Sequence, residues 1–157
     1  MPEIKLDATD RRILARLQED ARISNVDLAK AVNLSPSPCL SRVRALEQRS
    51  LISRYVALLD PLKLGLTVSV FIQVSLEKQM RNALDTFESS VLARDEVMEC
   101  YLMTGPQDYL LRVVVSDPSD FERLHSQHLT RLPGVARVQS SFALRTVRKS
   151  DELPVRE

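Results

Sequence analysis

Only three glycines occur in the 157 residues, so no glycine-rich loop is available to cradle a phosphate or a dinucleotide. Cysteine is as scarce. Cys39 and Cys100 stand far apart, each within an apolar pattern, which excludes a disulfide framework or a paired-thiolate metal site and fits two small hydrophobes in a reduced compartment. No run is long and apolar enough to span a bilayer, and charge from Glu3 onward excludes a signal peptide in the first residues; the expected location is the cytoplasm, with no membrane partner. With a formal net charge of only +1, a sequence-blind polybasic coat for nucleic acid is excluded, so any DNA contact has to be a local patch. His125 and His128 have no third metal ligand in their neighbourhood, and serine, cysteine and histidine are too scattered for a nucleophilic triad. The chain is expected to work without catalysis, metal or cofactor.

What the chain does have is a 44% hydrophobic content, enough for two small cores, and a strong local pattern from Ser24 to Leu46. Ser24 with Asp27 fits a capping box that opens a short helix, and Asn33, tolerant of a left-handed conformation, suits its end. A second helix starts at once, with Ser35 as cap, Pro36 at the first helical position, and apolar Leu40, Val43 and Leu46 at helical spacing. Leu28, Val32, Leu34, Cys39 or Leu40, Val43 and Leu46 share one core only if the two helices cross steeply, as in a helix-turn-helix. The outward face is then Ser37, Pro38, Ser41, Arg42 and Ala45, with Arg44 and Arg49 toward its flank. Small hydroxyls let a helix approach base edges closely, and arginine grips guanine or phosphate with two donors. The candidate DNA-binding residues are Asn25, Ser35, Ser37, Pro38, Ser41, Arg42, Arg44 and Arg49. From Lys30 to Arg54 the stretch is locally basic, with Glu47 the lone acid. A solvated packing pair would carry similar arginines, so the rest of the chain has to decide.

Asp7 to Leu17 reads as a preceding helix, with Asp7 or Thr9 near its start and Leu6 as a staple. Leu51 to Leu59 turns strand-like, a wing or edge strand expected to pair with its copy in a second chain. Asp60 to Gly65 is the linker, which divides the chain into a domain over 1–60, a linker over 61–65 and a second domain over 66–157. Leu66 to Leu76 alternates as a strand, and Met80, Leu84, Phe87 and Val91 follow at helical spacing. Val97 to Met103 and the continuous apolar run Tyr109 to Val115 form a hairpin around Gly105-Pro106-Gln107-Asp108. A helix from Asp117-Pro118 carries Phe121, Leu124, His128 and Leu132 on one stripe, Pro133-Gly134 stops it, and Val135 to Val147 is a last strand. The fold class is α+β: an N-terminal winged helix-turn-helix plus a C-terminal ferredoxin-like βαββαβ domain. Its uncovered sheet face, with Phe71, Tyr101, Tyr109 and Phe142 available, is expected to pack against another subunit.

Several segments in order resemble the leucine-responsive and asparagine-operon regulators (Lrp/AsnC): Leu6-Asp7 with Asp10, Arg22-Ile23-Ser24-Asn25, Leu34 through Cys39, Thr104 through Leu111, and Leu132-Pro133-Gly134-Val135. The resemblance implies a transcription factor, dimeric through the second domain, often assembled as a tetramer of dimers, with an amino-acid effector bound between dimers. Carried over residue by residue, the effector site would use Thr104, Gly105, Gln107, Asp108 and Tyr109, completed by Thr130, Leu132, Gly134, Val135, Ser140, Ser141 and Phe142, some from a neighbouring subunit. Asp108 is the candidate acceptor for the ammonium. Pro106-Gln107 departs from the family's polar-then-aromatic pattern and removes one backbone donor from the turn. Two function classes stand at this point: a ligand-responsive, sequence-specific DNA-binding regulator, or a small enzyme or ligand-storage module, a non-catalytic or weakly catalytic ferredoxin-like ligand-binding oligomer whose helical unit serves only in assembly.

Overall fold

The computed structural model describes residues 5–155. Its first helix, α1 (Ala8–Glu19), starts one residue later than the sequence predicts because Asp7 is the cap: its carboxylate accepts from the Asp10 amide at 2.7 Å. α2 (Asn25–Ala31) begins with the predicted capping box, Ser24 Oγ accepting from the Asp27 amide at 3.1 Å and donating to Asp27 Oδ2 at 2.6 Å. It ends on Asn33 in the left-handed region (φ 58), with the Leu34 amide bonded to the Ala29 carbonyl at 2.8 Å and that of Asn33 to Lys30 at 3.2 Å. α3 (Pro36–Gln48) closes in the same way on Ser50 (φ 56), the Leu51 amide reaching the Leu46 carbonyl at 3.0 Å. Ile13, Leu28, Ala29, Val32, Cys39 and Leu46 are the buried centre of this helical unit, with Leu6, Leu14, Leu17, Ile23, Val43, Leu51 and Ile52 packed around them.

After Ile52 the wing segment departs from expectation. Residues 53–59 join no ladder, because no other described strand lies beside them in the single chain. Tyr55, Val56, Leu58 and Leu59 are left half-exposed or more. Tyr55 alone finds a polar partner, donating to Glu47 Oε1 at 2.9 Å; burial and then that carboxylate push its phenol up to about 12.

The second unit is a four-stranded antiparallel sheet in the order β2-β3-β1-β4, built from β1 (Val68–Leu76), β2 (Val97–Leu102), β3 (Tyr109–Val115) and β4 (Val135–Phe142). α4 (Arg81–Leu92), α5 (Pro118–Gln127) and a 3-10 turn (Leu129–Arg131) cover one face, burying Phe87, Val91, Phe121, Leu124 and Leu129 against Val70, Ile72, Val74, Leu111 and Val113. This is the predicted βαββαβ arrangement. Details differ for physical reasons. β3 is buried only at alternate residues, since helices cover one face alone. β4 ends at Phe142 rather than Val147 because β1 is close to its own end: Phe142 stands opposite Val70, the Ala143 amide takes the Ser69 carbonyl, and β1 begins at Val68. Met80 caps α4 and is exposed instead of joining its buried stripe.

Cross-strand register pairs Phe71 with Arg112 and Ser141, and Gln73 with Leu110 and Gln139, on the uncovered face. Of the four aromatics expected there, Phe71 and Tyr101 are on it. Tyr109 lies under the helices at 1% exposure, its ring 4.5 Å from that of Phe87, and Phe142 packs edge-on to Phe121 at 5.1 Å. The uncovered face is mixed rather than apolar: Glu99 accepts from Arg112 Nε at 2.6 Å and from the Tyr101 hydroxyl at 3.1 Å.

The chain thus forms two compact units, the helical one up to Leu58 and the sheet one from Leu59 to Val147. The stretch from Arg148, which the sequence groups with the sheet, belongs to the helical unit. There the side-chain amide of Gln18 in α1 both donates to the Leu153 carbonyl (3.1 Å) and accepts from its amide (2.7 Å).

Candidate functional site

The helix-turn-helix presents α3 with an unusual first turn. Ser35 holds the cap position with its hydroxyl unused, while Pro36 and Pro38 remove two of the amide donors that a helix start normally offers. The Ser35 and Ser37 amides and the serine hydroxyls are what remain for an approaching oxygen. Ser35, Ser37, Pro38, Ser41 and Arg44 are exposed, and none of the four polar side chains makes a hydrogen bond or ion pair among the described residues. Ser37, Ser41 and Arg44 recur at spacings of four and three, one stripe on the side opposite Cys39 and Leu46. The exposed Gln48 extends it, a residue whose outward position follows only once the register of α3 is known.

Three of the expected DNA contacts have other work. Asn25 Nδ2 donates to the Pro36 carbonyl at 2.9 Å, joining the first residues of α2 and α3, and its Oδ1 is buried without a partner among the described residues. Arg49 Nη2 reaches the Lys5 carbonyl at 3.3 Å. Arg42 is not on the outward face. It follows Cys39 by three residues and precedes Leu46 by four, which turns it toward α1, where Nη1 donates to Asp7 Oδ2 at 2.6 Å and Asp10 Oδ1 at 2.8 Å. The Asp10 amide and then the Arg42 guanidinium hold the Asp7 carboxyl below the usual carboxylate range. The two carboxylates raise the Arg42 guanidinium in turn.

In the sheet unit the hairpin turn is held by Asp108, which is buried. Its Oδ2 accepts from the Leu76 amide at 2.7 Å and its Oδ1 from Gln79 Nε2 at 2.6 Å, while its own amide reaches the Val74 carbonyl at 2.9 Å. Both oxygens therefore serve the turn, and Asp108 does not stand open as an ammonium acceptor. Tyr109 points inward and donates to Glu88 Oε1 at 2.6 Å; burial first, then that carboxylate, push its phenol up. Thr104, Gly105 (φ 126) and Pro106 form the exposed tip.

The remaining expected effector residues do not converge within one chain. Thr130 Oγ1 bonds the His125 carbonyl at 3.2 Å; Leu132 is half-buried; Gly134 (φ 73) turns the chain into Val135, its carbonyl accepting from the Glu77 amide at 2.8 Å. Ser140 lies on the helix side, its Oγ buried with no partner among the described residues, Ser141 lies opposite Phe71 on the uncovered face, and Phe142 is back on the helix side. Two cavities lie in the sheet unit, one of them at the hairpin. One, of about 140 Å³, is lined by Gln73, Ser75, Pro106, Gln107, Arg137 and Gln139, so Gln107 is its single member from the expected set. Arg137 makes no ion pair there among the described residues. The other, of about 300 Å³, includes Lys78, Asn82, Thr86 and Gly134. Gln73, Arg137 and Gln139 escape a reading of the sequence because only strand register brings them together.

Against known proteins, residues 6–47 match the AsnC-type helix-turn-helix domain and residues 69–153 the Lrp/AsnC ligand binding domain. The chain is 41% identical over 155 residues to the leucine-responsive regulatory proteins of Klebsiella pneumoniae and Escherichia coli K12, covering 99% of itself and 94% of each. A transcriptional regulator of Neisseria meningitidis, solved as a complex with L-methionine, superposes with a TM-score of 0.92 at 39% identity, over 96% of this chain and 97% of that one. An AsnC family transcriptional regulator of Agrobacterium tumefaciens gives 0.91 at 38% identity, over 96% and 97%. With both domain matches, this identity and this fold, the chain belongs to the Lrp/AsnC family of transcriptional regulators and is not an enzyme.

Proposed function

We propose that this regulator reads a specific DNA sequence as a dimer and that a free amino acid, held at the hairpin end of the sheet unit, changes its assembly or its DNA affinity. The observation that carries the DNA reading is the partnerless Ser37-Ser41-Arg44 stripe, capped by Ser35, on a helix whose other side is buried. Ser35, Ser37 and Ser41 take phosphate oxygens or base edges, and Arg44 takes guanine or phosphate. Paired α3 helices require half-sites about 34 Å apart, one turn of DNA, or a multiple of that. Fluorescence anisotropy against DNA from upstream of the gene tests this. Binding that exceeds random DNA at moderate salt, and weakens with Arg44→Ala, is the expected result; equal affinity for both DNAs defeats it.

The effector reading is supported by the cavity at the hairpin and by the L-methionine carried by the Neisseria regulator. Arg137 is a free guanidinium for a carboxylate, and the amide oxygens of Gln73, Gln107 and Gln139 suit an ammonium. Asp108 serves by holding the turn that carries Gln107. A thermal-shift screen of the twenty amino acids should raise the melting temperature for one or a few of them, and Arg137→Ala should remove the shift. No shift with any amino acid ends the effector reading.

A further inference from the structure

We propose that Arg42 is a positioning residue, which sets the rotation and height of α3 against α1 through Asp7 and Asp10, and is not itself a reader of DNA. The inference rests on the reading of the Ser37-Ser41-Arg44 stripe as the DNA face. Successive residues in a helix are about 100° apart, so a side chain tied to a fixed point on another helix determines where its neighbours aim. Arg42 immediately follows Ser41 and precedes Arg44 by two. Its guanidinium is held by two carboxylates in the first turn of α1: Asp7, itself pinned as the cap of that helix, and Asp10, which is only 9% exposed.

The apolar contacts between the helices cannot supply this restraint alone. Cys39, Val43 and Leu46 fill space, but apolar contacts have no directional preference and allow a helix to turn or slide slightly, whereas two short charge-assisted bonds do not. Electrostatics argue the same way. Two carboxylates against one guanidinium leave the cluster net negative, so it repels phosphate. Were Arg42 to swing out to DNA, the largely buried Asp10 would lose its counter-charge.

Asp10→Asn separates the two roles by sign. It removes a negative charge from a DNA-binding unit, which on charge alone tightens binding. Under the proposal it loosens α3 and weakens cognate binding several-fold while random-DNA binding holds or rises. Arg42→Ala is expected to lower cognate affinity about tenfold at unchanged salt dependence, whereas Arg44→Ala lowers the salt slope by about one. Arg42→Lys keeps the charge, but its ammonium ends one bond short of the place of Nη1, which makes both bonds, so it should restore only part of the discrimination. All are measured well below each variant's melting temperature, so unfolding does not contribute. Melting temperatures of Arg42→Ala, Asp10→Asn and the double variant supply a readout independent of DNA, and should be strongly non-additive.

Tighter cognate binding by Asp10→Asn, a salt slope reduced by about one in Arg42→Ala, or additive melting temperatures would each overturn the proposal. If the wild-type chain does not discriminate its upstream DNA at all, the DNA reading fails instead. The melting cycle then judges whether Arg42 still ties α3 to α1.

Discussion

Asp108 shows how a residue that looks like a ligand-binding group can be structural. Its carboxylate closes the space between the end of β1 and the hairpin by accepting from the Leu76 amide and from Gln79. Replacing it with alanine leaves a buried amide without an acceptor, and we expect Asp108→Ala to cost about 3 kcal/mol of sheet-unit stability in a denaturant titration. Asp7, Asp27 and Asp120 form a second group, carboxylates at helix starts whose pKa values lie below the ordinary 3.8. The causes differ in rank: a backbone amide comes first for Asp7 and Asp120, the Ser24 hydroxyl for Asp27. A depressed folded-state pKa stabilises the fold above the unfolded value and loses that contribution as pH falls through the folded one. Stability should therefore fall as pH drops below about 3.8, and Asp7→Asn should flatten that acid limb of a pH series of melts.

At the scale of elements, two helices end with a left-handed residue that is not glycine, Asn33 after α2 and Ser50 after α3. Asparagine tolerates that conformation through its short amide, but serine has no such advantage. Ser50→Gly should raise stability by about 0.5–1 kcal/mol, seen as a higher melting temperature; the gain is the relieved left-handed strain less the added freedom of the unfolded chain. The start of α3 shows the opposite economy. Pro36 and Pro38 give up amide donors, which leaves the amides and hydroxyls of Ser35 and Ser37 as the donors of that end. Its capping pattern was legible in the sequence because caps and prolines act over three or four residues. The direction of Arg42 was not legible, since one helical step separates facing DNA from facing α1, and only the partner helix decides between them.

At the scale of the whole molecule, the exposed stretch Tyr55, Val56, Leu58 and Leu59 is largely apolar chain that joins no ladder among the described residues, the composition of a strand awaiting one. Pairing with the same stretch of a second copy would bury it. Leu58→Asp should shift sedimentation toward the monomer and, by removing the second recognition helix, lower DNA affinity; an unchanged sedimentation profile would rule this stretch out as a contact between copies.

The order of elements, the helix-turn-helix and the βαββαβ succession were determined by the sequence, because periodicities of 3.6 and 2 and local capping residues are properties of short windows. The hairpin turn was equally legible, in Gly105-Pro106. Tertiary structure alone decided the rest. It turned Tyr109 and Phe142 under the helices, tied the Leu153 backbone to Gln18 in α1, aimed Arg42 at Asp7 and Asp10, and brought Gln73, Arg137 and Gln139 to one cavity. Each of these depends on strand register or helix rotation between residues distant in the chain, where a shift of a single position moves a side chain to the opposite face.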